Sequence, residues 1–435
     1  MFNLSIGSGL PADFENGGRQ SRWAEDLDTL ARELQVLIVL AAGNHKLDEA
    51  ADSDEAERVI QSYPEFLFHE GASLSDPATA AIAVTVGGIA EHEAPEQWEG
   101  EDHTESIDRP VARRHEPTPS TRIGPGINES FKPDFVEHGG NSALRGAGVL
   151  NHEISSSFGY GVLSFSANPL RVLFASDVGT SFAAPKVART AAMIWHRLKE
   201  MLAADPHPNL IRALMANSAN VPQPTRDLIT SRKGEKFVRR VCGYGVPDLD
   251  LAMHSGNRRV TLIASSEIKV DDFYIYQVPI TEEFLASPGK KRIIVSLAFD
   301  PPVRRRRAKY LGVAMQTALY RGVSVEHIIA ANKPIPAEEK DNPVTAIQGA
   351  QKCDLKPSST ELATSTLHRS EWTMSRRQEY GDTYYLVVRA LRTWAPASIT
   401  HQNFGLAVTL VADHEQLYNS IRQRVQVRAR ARGRQ

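Results

Sequence analysis

An apolar run that follows an amphipathic segment constrains the fold of this chain most strongly. Residues 36–42 read Val-Leu-Ile-Val-Leu-Ala-Ala, which is typical of a strand buried on both faces of a parallel sheet. Arg19 to Gln35, just before this run, carries apolar residues at helical spacing. A strand-like opening and a further apolar run from Thr79 to Gly88 continue the alternation. We therefore predict a doubly wound, mostly parallel α/β sheet, in which sites lie at the carboxyl ends of the strands.

Two segments that follow strands of this predicted sheet are candidates for a site. Asn44 comes directly after Gly43 at the end of the apolar run, and Ser5-Ile6-Gly7 ends the first strand. The side-chain amide of an asparagine can donate a hydrogen bond to an oxyanion without transferring a proton. An ordinary turn residue is the alternative interpretation of Asn44.

A third candidate is Ser181, in the segment Gly179-Thr180-Ser181-Phe182-Ala183-Ala184-Pro185. Thr180 and Ser181 can cap a helix, and we expect Pro185 in its first turn, where proline is tolerated. The N–H groups and partial positive charge of a helix N-terminus favour negative charge. This suits a serine whose attack on a carbonyl creates an oxyanion. The alternative is a serine that only caps the helix.

Composition limits the class of protein and its environment. The chain has 435 residues, of which 41% are hydrophobic and 23% charged, with a formal net charge of −2. These values indicate a globular chain of two or three domains and predict no bulk attraction to nucleic acid. Cys242 and Cys353 make no disulfide framework, which favours a reducing, cytoplasmic compartment. The sequence has no apolar stretch of membrane-spanning length and no signal peptide, so we expect no membrane association.

Basic runs and scattered histidines point to no further ligand. His92, His103 and His115 lack the spacing of metal ligands, so we expect no metal cofactor. Arg304 to Arg307 and Arg422 to Arg434 are basic, but no aromatic residues alternate with them to stack on bases. We interpret the two runs as a solvated loop and a basic tail; an edge strand protected by charge is the alternative for the second.

Five segments, in this order along the chain, resemble the motifs of a subtilisin-like serine peptidase, a subtilase. The resemblance extends from the N-terminus to Gly245. Its segments are Ser5-Ile6-Gly7, Ala41-Ala42-Gly43-Asn44, Lys132-Pro133-Asp134, Gly179-Thr180-Ser181 with Pro185, and Gly243-Tyr244-Gly245.

The resemblance implies a peptidase mechanism and its residues. Ser181 would be the acylating nucleophile, and Asn44 would donate to the oxyanion together with the N–H of Ser181. The substrate would be a protein or peptide bound as an added strand. The substrate-binding residues implied are Ser5, Ile6, Gly7, Ala42 and Gly43. Calcium is common in the family, but no ligand cluster in this sequence has calcium-loop spacing.

The sequence departs from the family pattern at the acid and the base. The family's order is aspartate, histidine, asparagine and serine, so its acid and base both precede the oxyanion asparagine. No Asp-Ser-Gly or Asp-Thr-Gly occurs in this sequence. His138, in the only His-Gly pair, follows Asn44 and is interpreted as a loop residue. We expect His45 to point away from the site, and Asp177 is no known substitute. Since a serine without a base is a poor nucleophile, we expect this chain to be nearly inactive alone.

Three explanations of this departure stay open. A truncated start at Met1 is the simplest, and the missing strands would leave an apolar sheet edge uncovered. A protein partner that completes the sheet is the second. A non-catalytic pseudo-peptidase, acting as a peptide-binding or regulatory module, is the third.

The pattern changes near residue 255. Short runs rich in Val, Ile, Tyr and Leu, separated by polar turns, predict an antiparallel β-sandwich or jelly roll. These runs are Arg259 to Ala264, Asp272 to Ile280, Arg292 to Phe299, Tyr310 to Tyr320, Thr383 to Ala390 and Phe404 to Val411. Asn332 to Thr366 is interpreted as a long loop. The predicted domains are a peptidase domain at 1–254 with a surface insertion at 91–121, a β-sandwich accessory domain at 255–420, and a basic tail at 421–435.

Overall fold

The computed structural model describes residues 1–12, 19–45, 58, 60–93, 107–146, 154–155, 159–256, 258–287, 289–332, 351–374 and 383–412. The chain divides into two compact units. The first comprises Met1–Arg197, Ser218–Leu249 and Val303–Tyr310, and the second Leu198–Asn217, Asp250–Pro302 and Leu311–Gln435. The units interleave along the chain. The predicted tail at 421–435 and His103 lie outside the described residues.

The helices are α1 (Arg22–Glu33), α2 (Thr180–Leu202), α3 (Pro208–Ser218), α4 (Gln223–Lys233), α5 (Glu235–Cys242), α6 (Leu249–Met253), α7 (Glu282–Ala286) and α8 (Val325–Asn332). The strands of the first unit are β1 (Phe2–Leu4), β2 (Ile38–Ala41), β3 (Val84–Ile89), β4 (Ile107–Pro110), β5 (Phe135–His138), β6 (Ala143–Gly146), β7 (Ile154–Ser155), β8 (Val162–Phe165) and β9 (Phe174–Asp177). Those of the second are β10 (Arg259–Lys269), β11 (Phe273–Pro279), β12 (Lys291–Phe299), β13 (Val313–Arg321), β14 (Lys352–Cys353), β15 (Leu367–Met374), β16 (Thr383–Arg392) and β17 (His401–Val411).

The first unit is built on a parallel sheet, which confirms the predicted α/β fold. Its strand order is β1-β2-β3-β5. Phe2 lies opposite Ile38, and Val39 lies opposite Val84. All four residues of β2 are buried, as expected for a strand covered on both faces. Because the strands are parallel, the segments that follow β1 and β2 leave the sheet at the same edge.

A buried carboxylate attaches α1 to the start of β3. Asp28, on the buried face of α1, accepts hydrogen bonds from the N–H groups of Ala81 (2.8 Å) and Ile82 (2.6 Å). The apolar run predicts a strand from Thr79, but β3 begins only at Val84. The reason is that the N–H groups before Val84 bond to a side chain of α1 instead of a neighbouring strand.

A β-hairpin leads into the helix that carries Ser181. β8 and β9 pair antiparallel, with Val162 opposite Asp177. The hairpin exposes several large apolar side chains, which include Leu163, Phe165, Leu170, Val172, Leu173 and Phe174. Within the predicted surface insertion, residues 94–106 lie outside the described residues, and Val111 and Ala112 are buried.

The second unit contains two antiparallel four-stranded sheets, as the sequence predicts. Their strand orders are β10-β17-β12-β15 and β11-β16-β13-β14. One hydrophobic core joins residues of both sheets, for example Val295 of β12, Met315 of β13 and Leu406 of β17.

The sequence analysis missed two strands of this unit. β15 contains buried polar residues, His368 and Ser370, which hide its apolar alternation. β14 lies inside the segment interpreted as a long loop, of which residues 333–350 are not described.

Candidate functional site

Ser181 is the second residue of α2 and lies beside the end of β1. The hydroxyl of Ser5 donates to the carbonyl oxygen of Ser181 at 3.2 Å. This carbonyl has no partner from its own helix, because the residue four positions on is Pro185, which lacks an N–H. Pro185 therefore lies in the second turn, and the predicted first-turn position is wrong. Ser5 supplies the hydrogen bond that the proline removes.

Thr180 connects α2 to the end of β2. Its N–H and its hydroxyl both donate to Oδ1 of Asn44, at 2.9 and 3.1 Å. The Thr180 hydroxyl also accepts from the N–H of Gly43 at 3.2 Å. Gly179 lies so close that a Cβ there would be 2.8 Å from Nδ2 of Asn44. Any larger residue at 179 would therefore displace the amide group of Asn44.

The orientation of Asn44 follows from these contacts. Because Oδ1 accepts two hydrogen bonds from Thr180, the amide group Nδ2 is the end of the side chain that is left to donate. Within the described part of the chain, no hydrogen-bond acceptor is found for Nδ2. Asn44 is exposed, so this donor is accessible to a bound molecule.

We call the space between the segments that follow β1 and β2 the slot, and Ser75 its floor, because the Ser75 hydroxyl lies next to both Gly7 and Gly43. A Cβ on Gly7 would lie 2.9 Å from the Ser75 hydroxyl oxygen, and a Cβ on Gly43 would lie 2.1 Å from it. Ala42 is fully buried, and its carbonyl accepts from the N–H of Ser75 at 3.2 Å. Ile6, which precedes Gly7 in the sequence, is exposed.

His138 is the last residue of β5, not a loop residue as predicted, and it forms a polar cluster with Glu137 and His115. Its Nδ1 lies 3.0 Å from Oε1 of Glu137, and its Nε2 lies 3.0 Å from Nδ1 of His115. Burial raises the pKa of Glu137, but the hydrogen bonds from His138 outweigh this and hold that pKa below its usual value. Burial and the adjacent His138 lower the pKa of His115. Both ring nitrogens of His138 therefore have partners other than Ser181.

The described residues include no hydrogen-bond partner for the Ser181 hydroxyl. Asp177 is exposed and accepts from the N–H of Val178 at 2.7 Å. The ring of His45 lies 6.4 Å from that of Phe66. Among the same residues, no group of three His, Cys, Asp or Glu side chains could hold a metal ion, and no helix is both long and apolar enough to cross a bilayer.

Three residues of the site escaped sequence reasoning: Thr180 as a link to Asn44, Ser75 as the floor of the slot, and Arg122. Thr180 was considered only as a helix cap. Ser75 and Arg122 lie in connecting segments far from the motifs, and no local pattern marks them. Only their contacts bring them to the site.

Comparison with known proteins gives a family match. A sequence model described as "Subtilase family" matches residues 1–245. Among curated proteins, the uncharacterized protein y4bN of Sinorhizobium fredii is 36% identical over 415 residues, which cover 94% of this chain and 92% of that protein. The similarity to y4bN therefore extends beyond the residues that the family model matches.

Three solved structures are similar at low identity. A lanthipeptide protease is 18% identical with a TM-score of 0.33, covering 58% of this chain and 60% of its own. The prenylagaramide maturation protease PagA is 19% identical with a TM-score of 0.31, covering 58% and 59%. The epidermin leader peptide processing serine protease EpiP of Staphylococcus aureus is 16% identical with a TM-score of 0.27, covering 53% and 42%. This chain therefore spans less than two thirds of each of them.

Proposed function

The chain belongs to the subtilase family, and from that premise we propose that it acts as a serine endopeptidase with Ser181 as its nucleophile. The observation that carries the proposal is the pair of hydrogen bonds from Thr180 to Oδ1 of Asn44. They hold the asparagine amide against the first turn of the helix that bears Ser181. Nδ2 of Asn44 and the N–H of Ser181 would then donate to the same oxyanion.

The test is labelling by a fluorophosphonate in extracts of cells that make the protein. We expect wild type to be labelled and Ser181→Ala to lose the label. Ser164→Ala, a change at an exposed serine of β8, is the matched control and should keep it. Asn44→Ala should slow turnover by about 10²–10³-fold. Label retained by Ser181→Ala would remove Ser181 from the mechanism, and an unchanged rate in Asn44→Ala would remove the oxyanion role.

We also propose that a polypeptide segment completes the site at the outer edge of β1. Among the described strands β1 pairs only with β2, and Phe2 is 55% exposed. Other exposed apolar residues of β1, its flanks and α1 include Met1, Ile6, Leu10, Trp23, Leu30 and Leu34. Ser5 contacts Ser181, so a parallel strand added here would end beside the nucleophile. Such a segment could supply the acid and base.

This completion is tested by a change at the edge. Phe2→Glu should abolish fluorophosphonate labelling in the extract, because a charge on the strand opposes pairing. Phe165→Glu, at an exposed phenylalanine of β8, should leave labelling intact. Equal labelling of purified wild-type chain and extract would contradict the need for a completing segment.

We propose a preference for small side chains at the P1 position of the substrate. Ser75 supports this, because its hydroxyl occupies the space between Gly7 and Gly43. A side chain larger than that of alanine would have to displace it.

A second candidate function is a non-catalytic, peptide-binding module. It is favoured by the engagement of His138 with Glu137 and His115, which leaves this histidine no free nitrogen for Ser181. The module would bind a peptide between Gly7 and Gly43 with equal affinity in wild type and in Ser181→Ala. Neither protein would be labelled, in the extract or in pure form.

We propose a cytoplasmic location. The support is that Cys242 and Cys353 are both buried free thiols, a state that a reducing compartment preserves.

A further inference from the structure

Arg122 is buried at 4% exposure, and it donates only to main-chain carbonyls. Its Nε donates to Asn44 at 3.1 Å, Nη1 to Gly71 at 2.8 Å and to Ser73 at 2.7 Å, and Nη2 to Gly9 at 2.8 Å. Four of the five guanidinium N–H groups are therefore used. The planar fork of arginine allows these bonds to run in several fixed directions at once.

The four carbonyls belong to the three segments that border the slot. Asn44 carries the proposed oxyanion donor. Gly9 lies two residues after Gly7, which belongs to the proposed substrate-binding segment. Gly71 and Ser73 lead to Ser75, the floor of the slot. The Arg122 side chain thus bonds to the segments on both sides of the slot and to the segment that leads to its floor, Ser75.

The main chain at Arg122 and Ile123 also bonds to these segments. The N–H of Arg122 donates to the carbonyl of Gly43 at 3.2 Å, and the N–H of Leu74 donates to Ile123 at 3.0 Å. A Cβ on Gly43 would lie 2.9 Å from Cδ of Arg122, and Gly43 has a φ of +96°. Glycine at 43 is therefore needed both for its backbone conformation and for the passage of the arginine side chain.

The positive charge of Arg122 has no carboxylate partner among the described residues. Burial lowers the pKa of the guanidinium, and no neighbouring acid offsets that effect. A buried charge without a counter-ion is costly, and here only carbonyl dipoles solvate it. The charge contacts the main chain of Asn44, whose carbonyl accepts from Nε at 3.1 Å.

We propose that Arg122 is the positioning residue of this site. It holds the segment of Asn44, the segment of Gly9 and the segment that leads to Ser75 in one arrangement, and it adds a fixed positive charge next to the main chain of Asn44. This inference rests on the proposed function of Ser181 and Asn44. It requires the fork of arginine as well as its charge. Lysine would keep the positive charge. Because its donors are all on one nitrogen, it would lose most of the hydrogen bonds to the four carbonyls.

The first experiment is hydrogen exchange on the full chain, which needs no activity. Wild type, Arg122→Lys and Arg122→Gln are compared at three segments, residues 8–12, 42–45 and 71–75. We expect all three segments to exchange about tenfold faster in both variants, together, while β12 and β17 are unchanged. Arg240→Gln, which removes an ion pair of a half-exposed arginine with Glu129 in the same unit, is the matched control and should not change them. Unchanged exchange in Arg122→Lys would overturn the proposal.

The second experiment compares the affinities of two ligands for the protein with its completing segment bound. A peptidyl boronic acid forms a negatively charged tetrahedral adduct with a serine, whereas the same peptide ending in an amide does not. We expect the ratio of their affinities to fall about 10–100-fold in Arg122→Lys and further in Arg122→Gln. A wild type that shows no preference for the boronic acid would refute the proposed function. The hydrogen-exchange experiment would still test whether Arg122 holds the three segments. A wild type that shows the preference, with variants that match it, would refute the role of Arg122.

Discussion

Single side chains set the geometry around Ser181. Thr180 uses both its N–H and its hydroxyl on Asn44, while Pro185 removes a helix bond and so leaves the Ser181 carbonyl to Ser5. These contacts connect the helix to two different strand ends. The start of the helix that carries Ser181 is therefore held by residues that are distant in sequence.

The link through Thr180 gives a residue-scale prediction. Thr180→Val keeps the size of the side chain and removes the hydroxyl, which leaves Gly43 N–H without its acceptor. We expect a loss of about 1–3 kcal/mol in the free energy of unfolding of the first unit and slower fluorophosphonate labelling. Denaturation curves and labelling rates measure the two effects.

Thr190→Val is the matched control for that prediction. The Thr190 hydroxyl donates within α2 to the carbonyl of Lys186 at 3.2 Å, so its loss should leave labelling unchanged. Labelling that is equally fast in wild type and Thr180→Val would contradict the role of Thr180.

At the scale of elements, the parallel sheet explains why the site lies where it does. β1 and β2 end at one edge, so Gly7 and Gly43 face each other across Ser75. The floor residue comes from a connection between Ala72 and β3, not from a strand. The depth of the slot therefore depends on a loop residue.

Ser75 gives a prediction about specificity. Ser75→Gly removes the hydroxyl that occupies the slot, so larger P1 side chains should be accepted. We expect the ratio of kcat/KM for leucine over alanine at P1 to rise about tenfold or more, as measured with a peptide series. Ser73→Ala, a change in the same connection that keeps the carbonyl bonded to Arg122, should leave the ratio unchanged. A constant ratio in Ser75→Gly would exclude Ser75 as the floor.

The contact between α1 and β3 gives a prediction about pH. Burial raises the pKa of Asp28 above its reference value of 3.8, and a hydrogen bond from Tyr310 at 2.8 Å opposes the rise. The folded state therefore binds this proton more tightly than the unfolded state. By linkage, the contribution of Asp28 to stability falls as the pH rises from 3.8 through its folded pKa.

Tyr310→Phe should strengthen this pH dependence. Without the hydroxyl the ionised carboxylate loses a donor, so we expect a loss of about 1–3 kcal/mol in the free energy of unfolding near pH 7. The loss should be smaller near pH 4, where more of Asp28 is protonated. Tyr274→Phe, at an exposed tyrosine, is the control. A loss that is independent of pH would show that Asp28 does not mediate it.

At the scale of the whole molecule, each unit has its own core. The first is centred on the parallel sheet and the second on the two antiparallel sheets. The second unit also contains a buried arginine, Arg212 of α3, at 1% exposure. It donates to Asn209 at 3.1 Å, to the carbonyl of Phe299 at 3.0 Å and to Thr366 at 2.6 Å. This network ties α3 to β12 and to the segment before β15.

Arg212→Met tests that network. Removing a buried cation leaves several acceptors without their donor, and we expect a loss of about 3–5 kcal/mol in the stability of the second unit. Arg292→Met, at a half-exposed arginine paired with Glu371 at 3.6 Å, should cost about 1 kcal/mol or less. Limited proteolysis within β12 and β17 measures both variants. Equal losses would mean that the burial of Arg212 adds nothing.

The α/β sheet, the antiparallel sheets and the position of Ser181 at a helix start could be predicted because each leaves a local trace in the chain. Buried strands require unbroken apolar runs, and a serine at a helix start requires small residues and a proline nearby. The start of β3 was predicted wrongly, because the carboxylate of Asp28, more than fifty residues away in sequence, takes the N–H groups that a strand would use. Thr180, Ser75 and Arg122 could not be assigned for the same reason. Their roles depend on hydrogen bonds to distant main-chain groups, and such bonds exist only after the chain has folded.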